Sequence, residues 1–351
     1  MKFTFQNHEI SVSGIKELYD IDSSYFPIVD FVKRWERGEN AFEVQTSGST
    51  GIPKKITLYR KQIEASVGAT TEFLDLRQGE NILMCLRPNY IGGLMMAARG
   101  LILDMDVHIV QPSVDPLSDA KGQYIDFASF VPYQIYHLIE QNRLAELAQI
   151  RNVLIGGAPL TDQAFEKLAQ LPNRNFMTYA MTETVSHIAL MPIESDPKGA
   201  RYNLLPNIFI GTNEKGCLWI EGDVTNNQRI QTTDVVEIEN DVYFKWFGRN
   251  DFVINSGGVK IHPEQVEKII AREFEKLGIK NDFYMVGLAD EKLGHKVVLK
   301  VEGEIIDDRT NEVLGIINSV ITSEKSKFHA PKEILAVKKF ERTSSGKVKR
   351  I

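Results

Sequence analysis

Between Thr46 and Ile56 the chain reads TSGSTGIPKKI, and this stretch restricts the fold more than any other. It carries four hydroxyls (Thr46, Ser47, Ser49, Thr50), two glycines (Gly48, Gly51), one proline and two lysines, Lys54 and Lys55. Glycine admits positive φ and a close approach of backbone to ligand. Hydroxyls, free N–H groups and lysines add donors and positive charge, the chemistry of a loop that wraps a polyphosphate. A solvated Ser/Gly turn has the same composition. Position separates the two, because Phe42–Gln45 reads as a strand entering the loop and Lys61–Leu74 as a helix leaving it. The spacing is not that of G-x-x-x-x-G-K-[ST], since no glycine stands at that distance before a Gly-Lys-Ser/Thr.

The chain around this loop has 351 residues, enough for two or three units with cores of their own. Its 43% hydrophobic and 25% charged content is that of an ordinary globular protein. With 41 basic against 47 acidic residues the net charge is −6, which argues against nucleic acid or an anionic membrane as the main partner. The two cysteines, Cys85 and Cys217, lie in apolar stretches, so neither a disulfide framework nor a zinc site is expected. The start, MKFTFQNHEI, has no signal-peptide core. No apolar run reaches the ~18 residues that span a bilayer, and a cytoplasmic protein without a membrane span is expected.

Short strands and helices alternate up to about residue 180. A short strand and an amphipathic stretch around Tyr25–Trp35 precede the loop. Strands are expected at Asn81–Leu86, Val107–Val110, Asn152–Ile155 and Phe176–Tyr179. Gly92–Leu103 reads as a core helix, and Ile125–Ile139, which contains Val131-Pro132, has helical spacing with aromatic residues interleaved. Thr161 reads as the N-cap of a helix through Leu171. The fold class is therefore α/β, with loops at strand ends forming the site. From Phe209 to Trp246 the period changes to two, as in a mostly β subdomain. Residues 1–248 read as one large domain and 249–351 as a small mobile α+β lid, whose helix Pro263–Leu277 turns Val266, Ile269, Ile270 and Phe274 to one face.

The loop resembles the phosphate loop of the adenylate-forming enzymes, the acyl-CoA synthetase and AMP-binding family, and further stretches match that family in order. Tyr179-Ala-Met-Thr-Glu-Thr184 resembles its Y-G-x-T-E motif. By that resemblance Tyr179 stacks on adenine, Thr182 contacts phosphate and Glu183 holds magnesium. An isolated Thr-Glu pair after a strand is otherwise a capped turn. Gly156-Gly157-Ala158-Pro159 resembles the adenine-side turn, and Thr232-Thr233-Asp234 the T-G-D whose aspartate binds the ribose hydroxyls, with Thr233 in place of glycine. The stretch from Gly248 to Glu267 matches G-R-x-D…G-G-x-K-I…P-x-E-V-E almost throughout. It implies Arg249 on ribose or phosphate, Asp251 as hinge, and Gly257-Gly258 beside the pantetheine channel. Arg342 to Arg350 resembles the C-terminal P-R-T-x-x-G-K-x-x-R, with Glu341 for the proline and Lys347 as catalytic lysine. Standing alone it would read as a basic tail, because nine of the last 27 residues are Lys or Arg.

The resemblance implies an ATP- and Mg2+-dependent ligase that makes an acyl-adenylate and passes the acyl group to coenzyme A. Leu86–Arg99 aligns with the family's acyl pocket, Tyr90 standing at its gate, followed by Gly92, Gly93 and Arg99. Together with Ser129–Tyr133 and Thr182–Ser186 it is similar to the o-succinylbenzoate–CoA ligases of menaquinone synthesis. Thr184 and Ser186 would line a pocket for a dicarboxylate, with Arg87 or Arg99 balancing the second charge; surface or structural pairing accounts equally for either arginine. Two alternatives stay open: an enzyme that loads another acid onto CoA or a carrier-protein thiol, and a truncated AMP/ATP-binding protein without catalysis. Only 45 residues precede the loop, fewer than the family usually has, and a homodimer is the expected cover for surface left exposed.

Overall fold

A computed structural model describes residues 1–45, 55–194, 199–303, 309–342 and 348–350. The hairpin β1 (Lys2–Phe5) and β2 (His8–Ser11) leads to α1 (Lys16–Ile21) and α2 (Phe26–Glu36). α2 is the amphipathic stretch expected here, and it buries Ile28, Val29, Phe31, Val32 and Trp35. β3 (Ala41–Gln45) and β4 (Lys55–Tyr59) pair antiparallel with Gln45 opposite Lys55. A strand thus precedes the expected helix, which forms over Arg60–Leu74. The reason is the alternation of Ile56 and Leu58 with exposed neighbours, the period of a half-buried strand.

Next come α3 (Arg60–Leu74), β5 (Asn81–Met84), α4 (Ile91–Leu103), β6 (Asp106–Ile109), α5 (Pro116–Asp119), β7 (Phe127–Phe130), α6 (Pro132–Glu140), α7 (Leu144–Leu147), β8 (Asn152–Ile155), α8 (Asp162–Ala169) and β9 (Arg174–Ala180). Ile125–Ile139 is thus a strand and a helix, not one helix. The break falls at Val131, whose φ of −99° and ψ of 155° are extended. Proline pushes the preceding residue out of helical backbone and itself suits the first helical turn.

β1, β6, β5, β7, β8 and β9 run parallel. Ile82, Met84, Phe127, Leu154 and Phe176 share a core with α2, α3 and α4. Leu83, Cys85, Ala128, Phe130, Val153, Ile155 and Met177 share another with α6 and α8. Successive strand residues point to opposite faces, and a parallel sheet covered on both faces reads as continuous apolar runs. β10 (His187–Pro192), β11 (Tyr202–Leu204), β12 (Ile208–Thr212), β13 (Cys217–Gly222), β14 (Ile230–Glu239) and β15 (Tyr243–Arg249) continue the same sheet antiparallel, to 13 strands among the described residues.

A second sheet of five strands starts a few residues later. It comprises β16 (Ile254–Ser256), β17 (Val259–Ile261), β18 (Phe283–Asp290), β19 (Gly294–Glu302) and β20 (Glu333–Val337), with α9 (Pro263–Lys276) and α10 (Thr310–Glu324) packed on it. Val266, Ile270 and Phe274 of α9 meet Val313, Ile317 and Ile321 of α10 over Val297, Leu299 and Val301, a core separate from the other two. Arg350 closes the chain's end onto α9 with two hydrogen bonds to Glu267, at 2.8 and 2.6 Å. Among the described residues no helix is long and apolar enough to cross a membrane.

Candidate active site

A cleft of about 1210 Å³ lies between the two sheets. One wall is built from the turn after β8 (Gly157, Ala158, Pro159), the end of β9 with Thr182 and Glu183, and Asp234, Trp246 and Arg249 of β14 and β15. The other wall is α9 and the end of α10, with Gln265, Lys268, Arg272 and Lys325. In open α/β sheets ligands sit outside the carboxyl ends of the strands, and β8 and β9 both end here. Lys268 is solvent-exposed in the cleft, yet protein crowded around its ammonium holds it below the ordinary lysine range.

Asp234 is the best-anchored group in the cleft. Tyr179 donates its hydroxyl to Oδ2 at 2.6 Å and the Trp246 indole donates to Oδ1 at 2.9 Å. An ionised carboxylate has about four lone-pair sites, so each oxygen keeps one for a ligand. Burial, then the Asp234 charge, push the Tyr179 phenol well above its usual range, which keeps it a donor. Tyr179 packs edge-on against Tyr202 and Phe244, centroids 5.7 and 5.2 Å away. Arg249 donates from Nε to Thr233 Oγ1 at 3.0 Å and from Nη2 to Asp251 at 2.7 Å. The hydroxyl at position 233, where the resembling motif has glycine, thus holds the arginine.

Packing demands glycine at two positions beside the cleft. Gly156 lies against Thr178 Oγ1 of β9, where a Cβ would collide. Gly248 has φ +138° and lies over Glu264 Oε2, with the same result. Glu264 is buried, accepts from the Arg249 N–H at 3.1 Å, and leaves Oε2 without a partner.

After β9 the chain turns through Thr182, Glu183 and Thr184. Glu183 is exposed, and among the described residues no cation lies within 4 Å of it. Thr184 is fully buried, its hydroxyl 2.8 Å from the Ser186 carbonyl and 3.1 Å from that of Met181. Arg99, from α4, reaches this turn from below. It is 2% exposed, donates to Ser186 Oγ at 3.4 Å and approaches Met96 Sδ at 3.8 Å. No carboxylate lies within 4 Å of it among the described residues, Nε has no partner, and burial pushes it down to about 10. Gly93 is needed where α4 begins, since a Cβ would meet the Arg87 carbonyl.

The residues singled out in the sequence divide into groups. Gly157, Ala158, Pro159, Tyr179, Thr182, Glu183, Asp234 and Arg249 line the cleft together. Tyr90, Gly92, Gly93 and Arg99 lie at or in α4 and do not line it; Arg99 is joined to its rim through Ser186. Arg87 is exposed. Asp251 is exposed just before β16. Gly257 and Gly258, at φ +57° and +81°, form the exposed β16–β17 turn away from the cleft lining. Thr46, Ser47, Gly48, Ser49, Thr50, Gly51, Lys54 and Lys347 lie outside the described residues. Sequence reasoning missed Trp246, Glu264 and His187. Trp246 and Glu264 read as ordinary strand and helix residues, and nothing local marks them.

Residues 20–208 match the family described as AMP-binding enzyme. An acyl-CoA synthetase (AMP-forming)/AMP-acid ligase II-like protein from Dyadobacter fermentans is 38% identical; the match covers 96% of each chain at a TM-score of 0.64. A 2-succinylbenzoate–CoA ligase of Staphylococcus epidermidis is 26% identical over 330 residues, 87% of this chain and 67% of that relative. The o-succinylbenzoate CoA synthetase of Bacillus subtilis, solved with its acyl-adenylate intermediate, superposes at a TM-score of 0.75 with 22% identity, covering 88% of this chain and 67% of that one.

Proposed function

Since the chain belongs to the AMP-binding enzyme family, as an AMP-forming acid–thiol ligase, we propose that its acid is o-succinylbenzoate and its thiol that of coenzyme A. Arg99 is the observation that carries the choice of acid. A buried guanidinium with no carboxylate beside it is costly, and a monocarboxylic substrate would leave it so. The second carboxylate of o-succinylbenzoate would neutralise it, and relatives of that name lie among the matches.

In this reading the acid's carboxylate oxygen attacks the α-phosphorus of ATP, the bond to the β-phosphate breaks, and pyrophosphate leaves. Tyr179 and the Gly156–Pro159 turn flank the base, while Asp234 takes both ribose hydroxyls on its remaining lone pairs. Arg249 faces ribose or phosphate. Magnesium, when bound, neutralises phosphate charge. Glu183 fits it, being exposed in the cleft without a cation, because the ion is usually held by one or two carboxylates beside substrate phosphates. Thr182, the loop from Thr46 to Lys54 and Lys347 would donate to the charge that develops on the phosphoryl oxygens. The CoA thiol then attacks the acyl carbon and AMP leaves. Residues 249–351 would turn about Asp251 between the steps, carrying Gly257 and Gly258 to the cleft. Reaction in the cytoplasm and a homodimeric state belong to the same reading.

ATP–pyrophosphate exchange over a panel of acids tests it. Exchange should require o-succinylbenzoate, and CoA should convert the adenylate to a thioester. Exchange with no acid in the panel would sink the catalytic reading, and exchange without thioester would favour a carrier-protein acceptor.

A further inference from the structure

Beneath Thr182–Ser186 runs a chain of polar side chains that the adenylation steps leave unexplained. Val185, a β-branched residue, has φ +68° and ψ −53°. This is the γ-turn of the rarer, strained hand, closed by the Ser186 N–H on the Thr184 carbonyl at 2.8 Å. A bulge between His187 and Ala189 follows at once, and His187 and Ile188 are both buried. Strain and bulges of this kind aim side chains at functional sites. Here they turn His187 inward, with Nε2 2.9 Å from Thr70 Oγ1 and Nδ1 3.2 Å from Ser186 Oγ.

The protons along this chain can be assigned. Thr70 donates its one hydroxyl proton to the Ser66 carbonyl at 2.8 Å, so towards His187 it accepts, and Nε2 carries the imidazole proton. A neutral imidazole has a single N–H; Nδ1 is then an acceptor and Ser186 donates to it. Ser186 has thereby committed its proton, and it meets Arg99 with a lone pair. The ring's neighbours are Thr70 of α3, Ser186 of the turn just before its own strand and, beyond that hydroxyl, Arg99 of α4; no carboxylate lies within 4 Å among the described residues. Burial and the Arg99 charge both hold the imidazole well below its usual range.

We propose that His187 is a positioning residue for the acid's second carboxylate: by taking the Ser186 proton, it keeps Ser186 an acceptor that orients Arg99, so Arg99 alone receives the anion. This rests on the Arg99 reading above. Without His187 the Ser186 hydroxyl is free to turn, and Arg99 loses the contact that aims it.

The test compares kcat/KM for o-succinylbenzoate with that for 3-benzoylpropionate, which lacks the ring carboxylate. His187→Leu should lower the preference about tenfold, through KM for the acid and not for ATP. His187→Gln, whose amide offers both a donor and an acceptor, should keep most of it. A preference intact in His187→Leu but lost in Arg99→Met overturns the role of His187 while the Arg99 reading stands. A preference intact in Arg99→Met overturns both. In the wild-type protein labelled with 15N-histidine, His187 should show the Nε2–H tautomer without titrating between about pH 5.5 and 8.5. An Nδ1–H tautomer, or titration in that range, refutes the assignment whatever the variants do.

Discussion

The Tyr179 hydroxyl and the Asp234 carboxylate meet at 2.6 Å although β10, β11 and β15 separate their strands in the sheet. The sheet must curl between β9 and β14 for this contact, and Trp246 completes it from β15. A ligand carboxylate is thereby held in one place by two donors that come from distant parts of the chain.

Removing this carboxylate or one of its donors should weaken nucleotide binding more than chemistry. Asp234→Ala should raise KM for ATP roughly ten- to a hundredfold, since hydrogen bonds to a charged group are worth about 1.5–3 kcal/mol. Tyr179→Phe should act in the same direction but less. Steady-state kinetics at saturating acid would read both, and a loss confined to kcat would count against Asp234 as a ribose ligand.

Arg99→Met should separate stability from activity. The guanidinium is buried, without an acidic partner among the described residues, and methionine fills similar space. Unfolding in urea should show the variant equal to the parent or more stable, on the order of 1 kcal/mol, while turnover of a dicarboxylic acid falls. A clear loss of stability would mean that Arg99 holds the fold.

Gly248→Ala should be among the more damaging single-methyl changes in the chain. Its φ of +138° suits only glycine, and the new Cβ would strike buried Glu264 Oε2. A cost of about 1–3 kcal/mol is expected, read by denaturant midpoint. Gly258→Ala, with open space around it, should meet only the backbone term.

Lys347→Ala follows from the resemblance of its motif alone. Adenylation should drop about 10²–10³-fold, while thioester formation from a preformed acyl-adenylate should be largely spared. Equal losses in both steps would argue against a small domain that turns between them.

Alkaline pH should destabilise the protein from about pH 10. Burial raises the phenols of Tyr25, Tyr136, Tyr179 and Tyr202 above 10, Tyr202 to about 12. The unfolded chain loses those protons near 10 and the folded chain keeps them. Their contribution to stability is therefore complete below 10 and is lost as pH rises through the folded values. Tyrosinate absorbance should show these four unionised until the protein unfolds.

Much of the parallel sheet could be read directly, because Ile82–Met84 and Val153–Ile155 are apolar on both faces and bounded by turn residues. The short strand at Lys55–Tyr59 was hidden by the loop chemistry beside it. The strand at Phe127–Phe130 was hidden by a helical spacing that continues past Pro132. The Thr-Glu and Gly-Arg motifs stand out in the sequence as well, since each packs its chemistry into a few adjacent residues; the phosphate-loop motif lies outside the described residues.

Local order therefore determined which elements form and which motifs they carry: periodicity, proline and glycine act over neighbours a few residues apart. Tertiary structure alone decided that Trp246 and Tyr179 share Asp234, that Glu264 lies beneath Gly248, and that Arg99 meets Ser186, itself bonded to His187, without an acid. These pairs span 12, 55, 16 and 87 positions. A hydrogen bond acts over about 3 Å of space and leaves no period in the sequence, so only the folded sheet brings such partners together.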